Sequence, residues 1–366
     1  MEPLRILQIV PNMHSAGLEN WLMNIYRNID RDKVQFDFLV HYTKRFDFDD
    51  EIEKLGGRIY RLSVREDNNI KKYIRDLDCF FKSHREFRVI HSHMPSLAYI
   101  HLGIAKKNKI EYRFLHSHNA FSTRNIKGYI KAVMSKLAKY NATDLLACSE
   151  KAGQFQYGKT EFKIINNAIE LEKFIYNEET RIKLRNDLGL NDKFIIGHIG
   201  RFNVQKNHEF IIDIASSLEK LNEDFHLLLL GDGEKREEIE RAVIEKNIKQ
   251  KVTFLGVRDD VNKFYQAFDI FILPSLHEGL PVVGVEAQSA DLPVIFSNEV
   301  TKEAKIIEKA KFLPINNGTN CWISEILKVK NANLNRKNKS VEITKKGYNV
   351  KNEAVKLIDM YMKCYK

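Results

Sequence analysis

Short apolar and β-branched runs alternate with longer amphipathic stretches along this chain, and no other feature restricts its fold as much. In the first half the runs are Ile6–Val10, Phe36–His41, Arg58–Leu62, Val89–His91, Phe114–His116 and Leu145–Cys148. In the second half they are Phe194–Ile199, Leu227–Leu230, Val252–Leu255, Ile270–Leu273 and Val294–Phe296. Strands separated by helices have to run parallel, so the pattern predicts βαβ units and parallel sheets. The rhythm restarts near residue 194, after a polar, helical-looking stretch, Asn177–Leu190. A chain of 366 residues is also long for a single core, which favours two domains. The reading is an α/β protein with a first domain over 1–170 and a second over 171–340, with the linker near 168–192. The tail, 341–366, reads as a helix that rejoins the first domain. Asn331–Lys339 is polar and reads as a loop.

The start of the chain, Met1 to Val10, lacks the long apolar core of a signal peptide and reads as a buried strand. No apolar run approaches the roughly 20 residues of a membrane span. The four cysteines, Cys79, Cys148, Cys321 and Cys364, form no CxxC pair, which points to reduced thiols and a cytoplasmic location. The net charge of +10 is uneven. Residues 1–170 hold 28 Lys and Arg against 20 Asp and Glu, and the remainder hold 31 against 29. The basic first half suggests an anionic partner such as a membrane surface or a lipid phosphate.

The strongest chemical signal is Pro274-Ser275-Leu276-His277-Glu278-Gly279-Leu280-Pro281-Val282-Val283-Gly284-Val285-Glu286. It follows a predicted strand and opens a helix, and α/β folds bind ligands at that edge of a parallel sheet. Free N–H groups at the helix start, near Val282 and Val283, can hold a diphosphate. Glu278 can accept hydrogen bonds from sugar hydroxyls, and Glu286 can reach a ribose diol. The two carboxylates are too far apart along the helix to share a proton. The second signal is Gly200-Arg201-Phe202-Asn203-Val204-Gln205-Lys206-Asn207, where Arg201 and Lys206 are cations suited to a pyrophosphate and to the charge on a departing nucleoside diphosphate. Both are expected in a solvent-lined cleft, so that neither matters to folding.

With Leu230-Gly231-Asp232-Gly233 and Ile165-Asn166-Asn167-Ala168-Ile169-Glu170, these motifs make the chain resemble the GT-B retaining glycosyltransferases of family 4, of the type that builds bacterial capsular and exopolysaccharide units. The resemblance implies two Rossmann-like domains with their sheets facing a cleft and a nucleotide-sugar donor, expected to be UDP-linked, on the second domain. It implies a saccharide acceptor, expected to be lipid-linked, on the first. It places the diphosphate on Arg201 and Lys206, the transferred sugar on Glu278, the ribose on Glu286 and the base near Gly256, Val257 and Arg258. Gly17, Gly200, Gly279 and Leu280 complete the implied donor site. His118 is implied to lie near the sugar and β-phosphate, as a hydrogen-bond donor. The chain departs from the pattern at Ala16-Gly17, where a double glycine is usual, and at Ala168, Asn207 and Asp291, where a single glycine is usual.

Two His-x-His pairs, His91/His93 and His116/His118, follow first-half strands. Such spacing puts both imidazoles of a pair on one face, but no Cys or carboxylate completes a metal set. Asp47-Phe48-Asp49 has the form of a metal-binding Asp-x-Asp, yet it precedes the amphipathic segment Glu51–Gly57 and reads as an acidic helix start. Neither a metal nor another cofactor is expected. Arg124–Tyr140 reads as a basic amphipathic helix, with Ile126, Ile130, Val133, Met134 and Leu137 on one face and Lys127, Lys131, Lys136 and Lys139 elsewhere. It can lie on an anionic membrane or simply cover its sheet. The alternatives to glycosyl transfer are a nucleotide-sugar 2-epimerase on the same architecture and a basic nucleic-acid-binding protein. Against the latter, no aromatic stacking pattern interleaves the basic residues.

Overall fold

The structure, a computed structural model, describes all residues except 1, 16, 65, 68, 119–125, 333–334 and 365–366, and the side chains of 126–131. It divides into two compact units, Met1–Ala168 with Val350–Lys366, and Ile169–Asn349.

The first unit is a parallel sheet of β1 (Leu4–Ile9), β2 (Val34–Val40), β3 (Ile59–Arg61), β4 (Val89–Ser92), β5 (Tyr112–Ser117), β6 (Asp144–Ala147) and β7 (Lys163–Ile164), in the order β3-β2-β1-β4-β5-β6-β7. The order reverses direction between β1 and β4, which pair from Ile6 with Val89 to Ile9 with Ser92. The second unit repeats the plan with β8 (Phe194–Ile199), β9 (Phe225–Leu230), β10 (Val252–Gly256), β11 (Ile270–Leu273), β12 (Val294–Ser297) and β13 (Ala310–Leu313). Its order is β10-β9-β8-β11-β12-β13, with the reversal between β8 and β11. This is the doubly wound arrangement, in which the crevice outside the strand ends at the reversal is the ligand position.

Local sequence explains most elements. The helix Glu178–Leu188 starts on Asn177, whose side chain accepts from Thr180 N at 2.7 Å, and carries Glu178 and Glu179 in its first turn. It stops at Gly189, in the left-handed region at φ 66°. Arg181 and Arg185 on this helix pair with Asp269 just before β11, and the second Asp269 oxygen also accepts from Ile195 N at 2.7 Å. Two strands escape the sequence reading, β7 with two residues and β13 with Ala310-Lys311-Phe312-Leu313. Both lie at a sheet edge, where a short run has little apolar pattern to show.

The tail differs from the single helix expected over 341–366. It forms two helices, Ser340–Lys345 and Val350–Lys363, separated by Gly347 at φ 85° and by a bridge of Asn349 to Ile169. The first belongs to the second unit and buries Ile343 there. Only the second joins the first unit, where Val350, Ala354, Leu357, Ile358 and Tyr361 enter the core with Tyr26 and Phe36. Those positions follow a helical period, so one stripe of the helix is apolar and is buried.

Asn207 and Asp291 stand where the resemblance has glycine, and both are left-handed, at φ 56° and 51°. Asn and Asp enter that region most readily after glycine. Asn207 Nδ2 donates to the Pro274 carbonyl at 3.1 Å. Buried Asp291 accepts from Lys309 Nζ and from Lys337 N, each at 2.7 Å. The backbone shape is thus kept by other residues that tolerate it.

Candidate active site

In the second unit the loops after β8 and β11 are joined side by side at the sheet reversal. Leu276 N donates to the Gln205 carbonyl at 2.8 Å, and Gln205 Nε2 donates to the His277 carbonyl at 2.9 Å. At their meeting point Lys206 Nζ donates to Glu278 Oε1 at 2.5 Å, and Ser275 Oγ donates to the same oxygen at 3.2 Å. The Lys206 and Glu278 side chains are only 16% and 12% exposed. Glu278 Oε2 has no partner among the described residues. The expectation that Lys206 is a solvent-surrounded cation without a folding role is therefore corrected: it neutralises a largely buried carboxylate.

Arg201 behaves otherwise. Its side chain is 71% exposed and its Nε donates to Glu234 Oε2 at 3.2 Å, so it is not packed against Lys206. Gly200, just before Arg201, leaves little room for a side chain, since a Cβ there would lie 3.0 Å from His198 Nε2 and 3.3 Å from the Lys206 stem. Gly279 has open space around it, so its lack of a side chain answers no packing need. Leu280 is buried in the core of the unit.

The helix Val282–Ser289 begins at Pro281 without a side-chain cap, which leaves the N–H groups of Val282 and Val283 free of intrahelical partners. Glu286, in its second turn, accepts from the buried Tyr265 hydroxyl at 2.7 Å. Burial raises its carboxyl from the ordinary range to about 7. At the end of β10, Gly256 turns the chain at φ 67°, Val257 is exposed, and Arg258 pairs with Asp260 at 2.9 Å. Gly231 N donates to the Gly256 carbonyl at 2.7 Å, and this ties the β9 and β10 loops together.

The sheet reversal of the first unit is built from imidazoles instead. His91, His93, His116 and His118, from β4, β5 and the residues just after them, form one cluster of rings. Trp21 packs edge-on or tilted against His93, His116 and His118 at 5.1–5.8 Å. His93 Nε2 meets Gln8 Oε1 at 2.8 Å, and His93 Nδ1 meets His118 Nε2 at 2.9 Å. His91 Nδ1 meets the Tyr361 hydroxyl at 2.5 Å. Burial holds all four imidazoles neutral, with His118 lowered to about 3. Ligand atoms of His91, His93 and His116 lie within 4.8 Å of one another. While both nitrogens of His93 stay engaged with Gln8 and His118, however, that residue has no lone pair for a cation.

Gly17 opens the helix Gly17–Asn28 after β1, with open space around it. Its neighbour Ala16 lies outside the described residues. Asp47 holds His14 at 2.6 Å and Ser15 N at 2.7 Å, while Asp49 holds Arg61 at 2.7 Å and Phe46 N at 3.0 Å. These two carboxylates fix their own loops at a helix start.

Sequence reasoning missed Ser275, Gln205, Tyr265, Gln8, Trp21 and Tyr361. Ser275 stands three residues before Glu278 and could have been paired with it by spacing. Tyr361 is 270 residues from His91 and left no local signal.

Two doubly wound units with an uncapped helix start beside a lysine–glutamate pair at one reversal fit a sugar-transferring enzyme of the GT-B fold. The sequence pattern of the family described as Glycosyl transferases group 1 matches residues 180–346. EpsF of Bacillus subtilis (strain 168), which bears a glycosyltransferase name, is 35% identical over 309 residues, covering 82% of this chain and 80% of EpsF. The chain belongs to the group 1 glycosyl transferases. A UDP-Gal:alpha-D-GlcNAc-diphosphoundecaprenol alpha-1,3-galactosyltransferase of Escherichia coli is 30% identical over 213 residues, 55% of this chain and 54% of that enzyme. Among solved structures, Anabaena HepE in complex with UDP superposes with a TM-score of 0.74 at 16% identity, covering 97% of this chain and 95% of HepE.

Proposed function

We propose that this chain is a retaining glycosyltransferase that moves a hexosyl unit from a UDP-sugar onto a hydroxyl of a lipid-linked saccharide in surface-polysaccharide assembly. The observation that carries this reading is the Lys206–Glu278 pair, formed by two joined loops beside an uncapped helix start. The diphosphate would lie on the N–H groups of Val282 and Val283, with Lys206 and the exposed Arg201 meeting the charge that grows as the glycosidic bond breaks. Glu278 Oε2 would take a sugar hydroxyl, Glu286 the ribose diol, and the Gly256–Arg258 turn the base. His118 would contact the sugar. The departing phosphate oxygen would accept the proton of the attacking acceptor hydroxyl, on the same face, so no protein base is needed. Lys206 and Arg201 would meet the diphosphate charge in place of a bridging metal, and the reaction is proposed to need none.

The UDP and undecaprenol-diphosphate parts of this reading are supported by the names of the HepE complex and of the Escherichia coli relative. Membrane contact is supported by the helix Ile126–Leu137 and the turn after it. Val133, Leu137 and Tyr140 are exposed there beside exposed Lys136, while Ser135 and Ala138 face inward. Lys139 is turned back onto the Tyr157 carbonyl at 3.0 Å, and the side chains of Lys127 and Lys131 lie outside the described residues. No helix of the described residues is long and apolar enough to cross a membrane.

The test is a mass-spectrometric screen of nucleotide sugars with the purified protein, with and without a lipid-diphosphate saccharide. Slow hydrolysis of one UDP-sugar and its transfer when acceptor is added is the expected result. An altered nucleotide sugar formed without acceptor would identify an epimerase instead.

A further inference from the structure

Behind Glu286 stands one buried phenol. Tyr265 lies on the helix Val261–Ala267 and is fully buried, with its ring packed among Phe174, Phe268 and Phe271 at 5.7–6.0 Å. Burial keeps the phenol neutral. Its hydroxyl meets two acceptors on the helix Val282–Ser289, Glu286 Oε2 at 2.7 Å and the Val283 carbonyl at 3.2 Å. Glu286 itself is only partly buried, and its Oε1 has no partner among the described residues and is not sealed from solvent. Ring packing thus fixes the hydroxyl, the hydroxyl fixes one carboxylate oxygen, and the other oxygen is left for a ligand. A phenol has one proton to give. With Glu286 ionised, the charge-assisted bond to Oε2 takes it. With Glu286 protonated, the carboxyl donates to the phenol oxygen and the phenol donates to Val283. Both states are paired, so the carboxyl can gain or lose a proton without leaving an enclosed polar atom unpartnered. Among the described residues, burial and the Tyr265 hydroxyl are the two influences on Glu286, and no charged side chain from a neighbouring element lies close enough to add a third.

We propose that Tyr265, which touches no substrate, is a positioning residue for Glu286: it engages Oε2, leaves Oε1 for the nucleoside ribose, and holds the carboxylate in register with the helix start at Val283. Val283 carries one of the free N–H groups of that start, so a single hydroxyl ties the ribose acceptor to the turn that would hold the diphosphate. Loss of the hydroxyl takes the donor away from the carboxylate and lets the side chain rotate. Ribose binding then weakens, and the carboxyl keeps its proton to higher pH. The ribose part of this inference rests on the proposed reading of Glu286; the joining of Tyr265 to the carboxyl does not.

The direct test is carbon-13 NMR of the glutamate carboxyls in the full-length protein, with Glu286 assigned by the loss of its signal in Glu286→Gln. The parent carboxyl should titrate near 7. In Tyr265→Phe, which keeps the ring, the midpoint should rise by about one pH unit, the size of one hydrogen bond to a charge. An unchanged or lower midpoint overturns the proposal. Should the phenylalanine variant fold poorly, the parent suffices: one tyrosine Cζ signal should shift with the Glu286 midpoint as its hydroxyl turns to Val283, and the lack of such a signal would overturn the pairing. The binding arm is calorimetry with UDP across the same pH range. The rise of UDP affinity with pH should come about one unit higher in Tyr265→Phe, while the titration of UDP itself is common to both proteins. A uniform loss of affinity with an unmoved pH profile would show that Tyr265 only supports the fold, and would overturn the positioning role. A UDP analogue lacking both ribose hydroxyls separates this inference from the reading it rests on. Above the titration the parent should prefer UDP to the analogue roughly tenfold, and Glu286→Ala should lose that preference. If the parent binds both equally while the carboxyl midpoint moves as expected, the ribose reading fails and the assignment of Tyr265 to Glu286 stands.

Discussion

The two units share one strand order and one reversal point, yet the chemistry placed there is opposite. At the β8/β11 edge the loops meet through a lysine–glutamate pair and an uncapped helix start. At the β1/β4 edge they meet through neutral imidazoles, a glutamine and a tryptophan. A doubly wound sheet fixes where a ligand lies but not what it is. The charged edge suits a dianionic leaving group, and the neutral edge suits hydroxyls, which need directional bonds without net charge.

The largest effect should fall on the charged edge and should separate its two cations. Lys206→Ala and Arg201→Ala are each expected to lower turnover on the order of 10²-fold or more. Only Lys206→Ala should also destabilise the fold, by roughly 3 kcal/mol in urea unfolding, because it leaves the largely buried Glu278 without a counter-charge. Arg201→Ala should stay within about 0.5 kcal/mol of the parent, as suits an exposed side chain. Near-normal turnover in either variant would remove that cation from the diphosphate site.

Glu286 gives a pH-dependent test of the same edge. Its carboxyl titrates near 7 in the folded chain, above the ordinary 4.5, so folding takes up a proton between those values. Stability from this group is present at low pH and is lost as pH rises through about 7. Glu286→Gln should therefore gain on the parent by on the order of 1–3 kcal/mol between pH 5 and pH 8. Donor affinity of the parent should rise over the same interval, since a ribose diol needs the ionised carboxylate. A stability difference that is flat with pH would show the carboxyl to be ordinary.

The outer surface of the first unit comes next. Exposed Lys136 and its neighbours should give salt-sensitive binding to anionic vesicles, each lysine contributing about 1 kcal/mol. Replacing Lys127, Lys131, Lys136 and Lys139 with Gln should abolish co-sedimentation. Unchanged binding after that replacement, or equal binding to neutral vesicles, would reject electrostatic docking. Excess EDTA should have the smallest effect, leaving transfer intact. Complete loss restored by manganese or magnesium would mean that a metal, rather than Lys206 and Arg201, carries the diphosphate charge.

Much of this was legible in the sequence where the signal is local. The strand rhythm gave both sheets apart from the short edge strands β7 and β13. The loops holding Lys206, Glu278 and Glu286 were found because each follows its own strand directly. The pairing of Lys206 with Glu278 was not, since 72 residues separate them and only the adjacency of β8 and β11 brings them together. The tail was misjudged in part for a similar reason: Gly347 was a local stop signal that was passed over, while the change of unit at Val350 depends on what each half is buried against.

By itself the sequence determined the periodicities, the turn residues and the kinds of side chain at each strand end, because these depend on neighbours three or four residues away. Tertiary structure alone decided the partners and the protonation states. Lys206 became the counter-ion of a buried carboxylate, Glu286 moved toward neutrality under burial, and His93 was enclosed between Gln8 and His118. Each depends on which groups lose water together, and burial is a property of the packed chain rather than of any segment of it.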